Sequence, residues 1–180
     1  CTNATDNGVD GWQPSFSAKC NREGISIVPL KELYQVNDLV FFSLEYDRII
    51  RPDLFTAARL FNIHFSLLPA YRGMFTSVMP ILAGETHSGV TLHRIDRGID
   101  TGDIIDQQKF ELTPGMQALD LYYAYLSHAK ILFERNIDSI LENRETGMAQ
   151  PVAGASYFSK SAIDFSRIHI DLNKTAFEIH

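Results

Sequence analysis

At 180 residues, with 45% hydrophobic and 21% charged side chains, the chain has the profile of one globular domain with enough apolar sequence to bury a full core, which excludes intrinsic disorder. A formal net charge of -6 leaves no broad cationic surface, so nucleic acid is not an expected partner. Two cysteines, Cys1 and Cys20, are too few for a disulfide framework and lack CxxC spacing, so both are expected to be reduced thiols.

No apolar run approaches the roughly eighteen residues of a membrane helix, and no charged start followed by an apolar stretch suggests export; a cytoplasmic location and no membrane partner are expected. The chain opens in turn-rich sequence without Met and stops within an apparent helix, so both ends read as truncated.

In chain order, "PSFSAKCNREG" predicts a short helix stopped by Gly24, followed by a brief strand over residues 25–28. "DLVFFSL" predicts a buried strand. Pro52 and Asp53 carry a helix-start signal, and "RLFNIHF" predicts a second strand with Leu60 and Phe61 on opposite covered faces. The turn "LLPAYRG" leads into a helix expected from 74 to 83. "SGVTLHRI" and "IIDQQKFEL" predict two strands joined as a hairpin by the glycine-punctuated turn "RGIDTGD". From 116 to 143 the pattern is helical, with a packing stripe at Leu119, Tyr122, Leu126, Phe133, Ile137, Ile140 and Leu141. "MAQPVAGASYFSK" reads as a surface loop, and a last helix is expected over 172–179. Alternating strand and helix signals argue for an α/β domain with a mostly parallel sheet flanked by helices.

The candidate chemistry gathers at strand ends, where open α/β sheets bind ligands. Asn62 and His64 are two apart on one strand, so their side chains share a face. Asp100, on a rigid turn, is the acid that could reach this imidazole. An amide donor, a proton-moving imidazole and a carboxylate that fixes it suit acyl transfer. The same residues also read as a satisfied strand histidine, a turn-bonding Asn and a turn-forming Asp. A metal site is not expected, because one His with scattered carboxylates has no ligand spacing.

"FNIHFSLLPAYRG" followed by "SGVTLHRIDRGIDTGDII" resembles the formyltransferase family that uses 10-formyltetrahydrofolate, which includes methionyl-tRNA, glycinamide ribonucleotide and sugar N-formyltransferases. Asn62 and His64 match its Asn-x-His, residues 66–69 its Ser-Leu-Leu-Pro, and Asp100 its acidic position. The resemblance covers roughly residues 25–180 and includes "YFSK...IDFS". It implies a Rossmann-like formyltransferase catalytic domain over 1–180 that lacks the first strand and helix and any carboxyl-terminal domain.

It further implies that Asn62 and a protonated His64 stabilise the tetrahedral intermediate while Asp100 holds His64. 10-Formyltetrahydrofolate is the implied co-substrate, without metal, its pterin read at Leu44, Glu45 and Tyr46, a stretch that otherwise reads as a plain strand exit. Asp96 and Ile99 are further cofactor-side candidates. Pro69 is expected to follow a cis peptide on the resemblance alone.

Methionyl-tRNA formyltransferases usually continue with Arg-Gly-Ala-Ala-Pro-Ile, where this chain has "YRGMFTSVMPI". That departure points to the sugar N-formyltransferases. The implied acceptor is a nucleotide-linked amino-dideoxy sugar, dTDP-4-amino-4,6-dideoxyglucose ahead of a 3-amino isomer, destined for surface polysaccharide such as O-antigen. Ser66, Tyr71, Arg72, Met74, Phe75 and Thr76 are the expected substrate-side residues, with helix entry as their structural alternative. A homodimer is the expected assembly. Methionyl-tRNA formyltransferase, 10-formyltetrahydrofolate hydrolase and a non-catalytic folate-binding fragment are the alternatives.

Overall fold

The computed structural model describes residues 1–167 together with 173 and 174. A four-stranded sheet is its centre, ordered β1 (Leu39–Leu44), β2 (Ala58–His64), β4 (His87–Arg94) and β5 (Ile104–Glu111). β1 and β2 are parallel; β4 is antiparallel to both β2 and β5, so β1, β2 and β5 share one direction and β4 runs against them. The expected hairpin is therefore β4–β5, with a register shift between Leu92 and His93. A second ladder pairs the two-residue strands β3 (Arg72–Gly73) and β6 (Tyr157–Phe158) in parallel, placing "YF" of the expected surface loop in a strand.

Alternation along β2 decides what each face does. Phe61 and Ile63 join Phe65, Val90 and Leu92 beneath the helix α3 (Ala118–Leu141), whose Leu121, Tyr125, Ala129, Leu132 and Ile140 complete the main core. Leu60 points the other way and packs with Phe41 and Ile50 in a smaller cluster. Asn62 and His64 share the face of Leu60, opposite α3.

Several expectations change on contact with tertiary structure. Residues 25–28 form no strand, because no neighbouring strand among the described residues offers them a ladder, and Ile25 and Ile27 stay exposed. The helix expected over 74–83 shrinks to α2 (Met79–Leu82): Met74 donates its N–H to Phe158 O, and Phe75 adopts a left-handed φ of 61°, so helix starts only where Pro80 can serve its first turn. Pro52 and Asp53 open a single 3₁₀ turn, Pro52–Leu54, because the N–H of Thr56 is drawn to Tyr34 O on the way to β2.

The stripe on α3 is rotated from the expected one. Tyr125 and Leu121 are fully buried, whereas Leu119 and Leu141 are exposed. The first helix, α1 (Phe16–Arg22), is capped by the Ser15 hydroxyl, which accepts the Ala18 N–H. Cys1 and Cys20 are free thiols. The helix expected over 172–179 lies outside the described residues. Among those described, no helix is long and apolar enough to cross a membrane.

Candidate active site

β2 delivers Asn62 and His64 to one point because the intervening Ile63 is anchored in the core beneath α3. Across the ladder, Asn62 stands opposite His93 and His64 opposite Thr91. Asn62 Nδ2 lies 3.2 Å from His93 Nε2 and 3.2 Å from Asp100 Oδ1. Asp100 Oδ2 accepts the Gly73 N–H at 2.9 Å and stands 3.6 Å from His64 Nδ1. Two strands, a turn and the short β3 thus converge on one carboxylate.

Asp100 itself sits at φ 54°, a left-handed conformation that few residues other than glycine adopt. Its turn is organised by Asp96, whose Oδ1 accepts the Gly98 N–H and the Thr101 hydroxyl. At the other end of the turn, Gly102 is packed so closely on Arg94 O that a Cβ would collide with it. The peptide between Leu68 and Pro69 is cis.

Carbonyl oxygens only accept, so they assign the imidazole protons. His64 Nε2 lies 2.8 Å from Tyr71 O and carries a hydrogen. His93 Nδ1 lies 2.8 Å from Arg94 O and carries one as well, leaving a bare Nε2 to accept from Asn62 when the ring is neutral. Both Asn62 amide hydrogens are then engaged, and donation to any new acceptor exchanges one partner.

Burial holds His64 below the usual imidazole range, against the pull of the Asp100 carboxylate and the Tyr71 carbonyl, while His93 adds to the depression. That direction favours a neutral ring before the reaction, whereas the family resemblance implies a protonated His64 during it. Burial would raise Asp100, but the neighbouring His93 and His64 rings and the Gly73 N–H hold it down at about 2. A neutral imidazole beside a fixed carboxylate is a base whose protonated form has a counter-ion already in place.

Asn62, His64, His93 and Asp100 open onto a cavity of about 450 Å³. Of the expected cofactor residues, Glu45, Tyr46, Asp96 and Ile99 line it, and Met74 is the one expected substrate residue that does. Leu44 lines a neighbouring cavity of about 660 Å³, which Glu45 and Tyr46 also border.

The other expected substrate-side residues are held by contacts within the protein. Ser66 is fully buried and donates to Ala70 O, because the tight turn before Tyr71 needs that bond. Tyr71 stacks on Phe158 and donates its hydroxyl to Glu85; Arg72 reaches Gln150; Phe75 packs on Phe165; Thr76 O accepts from Tyr125. Burial and the Glu85 contact push the Tyr71 hydroxyl up to about 12.

Sequence reasoning missed His93 and the Gly73 N–H. The available signal for His93 was its place in "VTLHRI", inward-facing on the strand that runs into the Asp100 turn. Gly73 acts through its backbone, which no side-chain motif reports.

Among the described residues no group of three His, Cys, Asp or Glu side chains is arranged to hold a metal ion. The sequence profile of the formyl transferase family matches residues 30–137, more than half of the chain, including the four-stranded sheet and the turn that carries Asp100. The chain belongs to the formyl transferase family.

Two solved formyl transferases superpose closely. The N-formyltransferase from Helicobacter canadensis, in complex with folinic acid and dTDP-3-aminofucose, is 46% identical with a TM-score of 0.91, over 98% of this chain and 65% of that one. WlaRD, a sugar 3N-formyl transferase in the presence of dTDP and 5-N-formyl-THF, is 47% identical with a TM-score of 0.91, over 98% and 64%. The methionyl-tRNA formyltransferase of Fervidobacterium nodosum is 31% identical over 173 residues, 96% of this chain and 51% of its own length. The chain therefore spans about half of that relative and less than two thirds of the two solved proteins.

Proposed function

We propose that this chain is the catalytic domain of an N-formyltransferase that moves the formyl group of 10-formyltetrahydrofolate to a dTDP-linked 3-amino-dideoxy sugar. The carrying observation is the near-half identity and 0.91 TM-score to two proteins described with dTDP-3-aminofucose and as a sugar 3N-formyl transferase. That evidence favours the 3-amino isomer over the 4-amino sugar placed first from sequence. The formamido sugar is a building block for surface polysaccharide such as O-antigen, made in the cytoplasm.

Chemistry follows from the site. The sugar amine attacks the formyl carbon and forms a C–N bond; negative charge develops on the formyl oxygen, and the bond to the folate N10 then breaks. Neutral His64 accepts the proton that the amine sheds, and Asp100 stabilises the resulting imidazolium. The same proton passes to N10, so the folate leaves as a neutral amine. Asn62 is the nearest amide donor for the oxyanion, exchanging its contact with His93 for one to the developing charge. The approximately 450 Å³ cavity falls within the size range of small-molecule sites.

The test incubates the intact protein with 10-formyltetrahydrofolate and a panel of dTDP-linked 3-amino and 4-amino sugars, with charged initiator tRNA in a separate arm. An N-formyl product from the 3-amino sugars, seen by mass spectrometry, is expected. Product only from the 4-amino sugars or only from tRNA overturns the acceptor, and formate release without any acceptor identifies a hydrolase.

A further inference from the structure

Gln150 lies outside the cavity and outside the segment matched by the family profile, yet it is bonded to the main chain of the catalytic turn. Its Nε2 donates to Asp100 O at 2.9 Å and to Gly102 O at 2.8 Å. Its Oε1 accepts from Arg72 Nη2 at 2.7 Å and Nε at 3.2 Å. Two carbonyls on one side and a guanidinium on the other leave the amide a single orientation.

The register of Gln150 is fixed two residues earlier, where Met148 exchanges both backbone hydrogen bonds with Ile104 at the start of β5. Arg72 is fixed by β3, and the next residue, Gly73, donates its N–H to the Asp100 carboxylate. One dipeptide therefore grips Asp100 twice, directly at the carboxylate and through Gln150 at the backbone. A non-glycine residue at φ 54° needs such an external hold, since the left-handed region crowds its Cβ.

We propose that Gln150, locked by Arg72, is a positioning residue that holds Asp100 within reach of His64. This deepens the formyl-transfer reading and rests on it. Gln150 does not line the cavity, and its amide does not titrate. Its effect is geometric: a displacement of about 1 Å at a catalytic group can cost roughly 10²-fold in rate.

Gln150→Met keeps side-chain length and adds no charge while removing both donors. The groups facing His64 are the Asp100 carboxylate from the β4–β5 turn, the His93 ring from β4 at 6.4 Å between centroids, and the Tyr71 carbonyl. Because Asp100 is the one that favours a charged His64 electrostatically, a loosened Asp100 must lower the His64 titration midpoint.

In the intact protein, Gln150→Met is expected to lower kcat roughly 10²-fold with folate Kd unchanged. The His64 ring midpoint, followed by NMR, should move to lower pH in the same direction as in Asp100→Asn. Arg72→Met combined with Gln150→Met should fall no further in kcat than Gln150→Met alone, because both act through one chain of bonds. A kcat loss that tracks thermal destabilisation with an unmoved His64 midpoint overturns the proposal, as does an unchanged kcat. Should the wild type formylate no amino sugar, the functional reading fails while the midpoint still decides whether Gln150 positions Asp100.

Discussion

The amide of Asn62 and the imidazole of His93 face each other across β2 and β4, 3.2 Å apart, and both contact the same oxygen of Asp100. His93 is 2% exposed, and its Nδ1 is tied to Arg94 O, so the ring has no freedom to turn. Held in this way, the ring fixes where the Asn62 amide can sit.

His93→Leu leaves one amide hydrogen of Asn62 without a partner and is expected to lower unfolding free energy by about 1–3 kcal/mol. Turnover should fall by less than the roughly 10²–10³-fold expected for Asn62→Ala, which removes the donor itself. Urea melts and kcat on the same preparations check both. A His93→Leu enzyme as slow as Asn62→Ala would mean that His93 contacts the reacting atoms.

His64 is depressed by burial and pulled back up by Asp100, which gives a signed prediction. Its ring midpoint should lie below 6.5, and in Asp100→Asn it should lie lower still, because the favourable charge is gone. His64→Ala should reduce formyl transfer on the order of 10²–10⁴-fold while folate binding persists. NMR titration of the ring and equilibrium binding of the folate measure the two parts. A midpoint above 6.5 would restore a resting imidazolium donor.

Asn62 and His64 were legible in sequence because strand alternation fixes their relation before any long-range contact forms, whereas Asp100, 38 positions from Asn62, was found through the family resemblance. His93 was not: its role depends on the β2–β4 register, which pairs it with Asn62 over 31 positions of sequence. The partners of Tyr71, Arg72 and Phe75 were hidden for a similar reason. Polar and aromatic residues beyond a catalytic strand suggest a pocket, yet the β3–β6 ladder turns them towards Glu85, Gln150 and Phe165. The 25–28 strand failed because propensity supplies a strand only where a neighbour supplies the hydrogen bonds.

Acid should destabilise the fold in two stages of the same sign. His64 is lowered on folding, so the unfolded chain binds its proton first, and stability present above pH 6.5 is lost as pH falls through that value. Asp100 drops from 3.8 to about 2, so its contribution is present above about pH 4 and lost as pH falls towards 2, amounting to about 2 kcal/mol. Asp6, held at about 2 by the Ser15 hydroxyl and the Ser17 N–H, titrates in the same window. Urea melts of wild type and Asp100→Asn between pH 8 and about pH 3 separate the two. In the variant the low-pH stage should shrink while the His64 stage grows, because its midpoint falls further, and an unchanged low-pH stage would assign it to Asp6.

The turn that carries Asp100 closes because Gly102 can lie against Arg94 O, where any side chain would strike backbone. Gly102→Ala must therefore push the turn off β4, and overpacking of this kind costs about 1–3 kcal/mol. The displaced residue is Asp100, so kcat is expected to fall by roughly 10²-fold, beyond what the stability loss explains. Gly115→Ala supplies the comparison: its φ of 83° strains an alanine by about 1–2 kcal/mol, but nothing lies within 4 Å of the added methyl and no site residue moves. Matched melts with unequal turnover, slow in Gly102→Ala and near wild type in Gly115→Ala, are expected. Equal turnover in the two would show that the turn adjusts without moving the carboxylate.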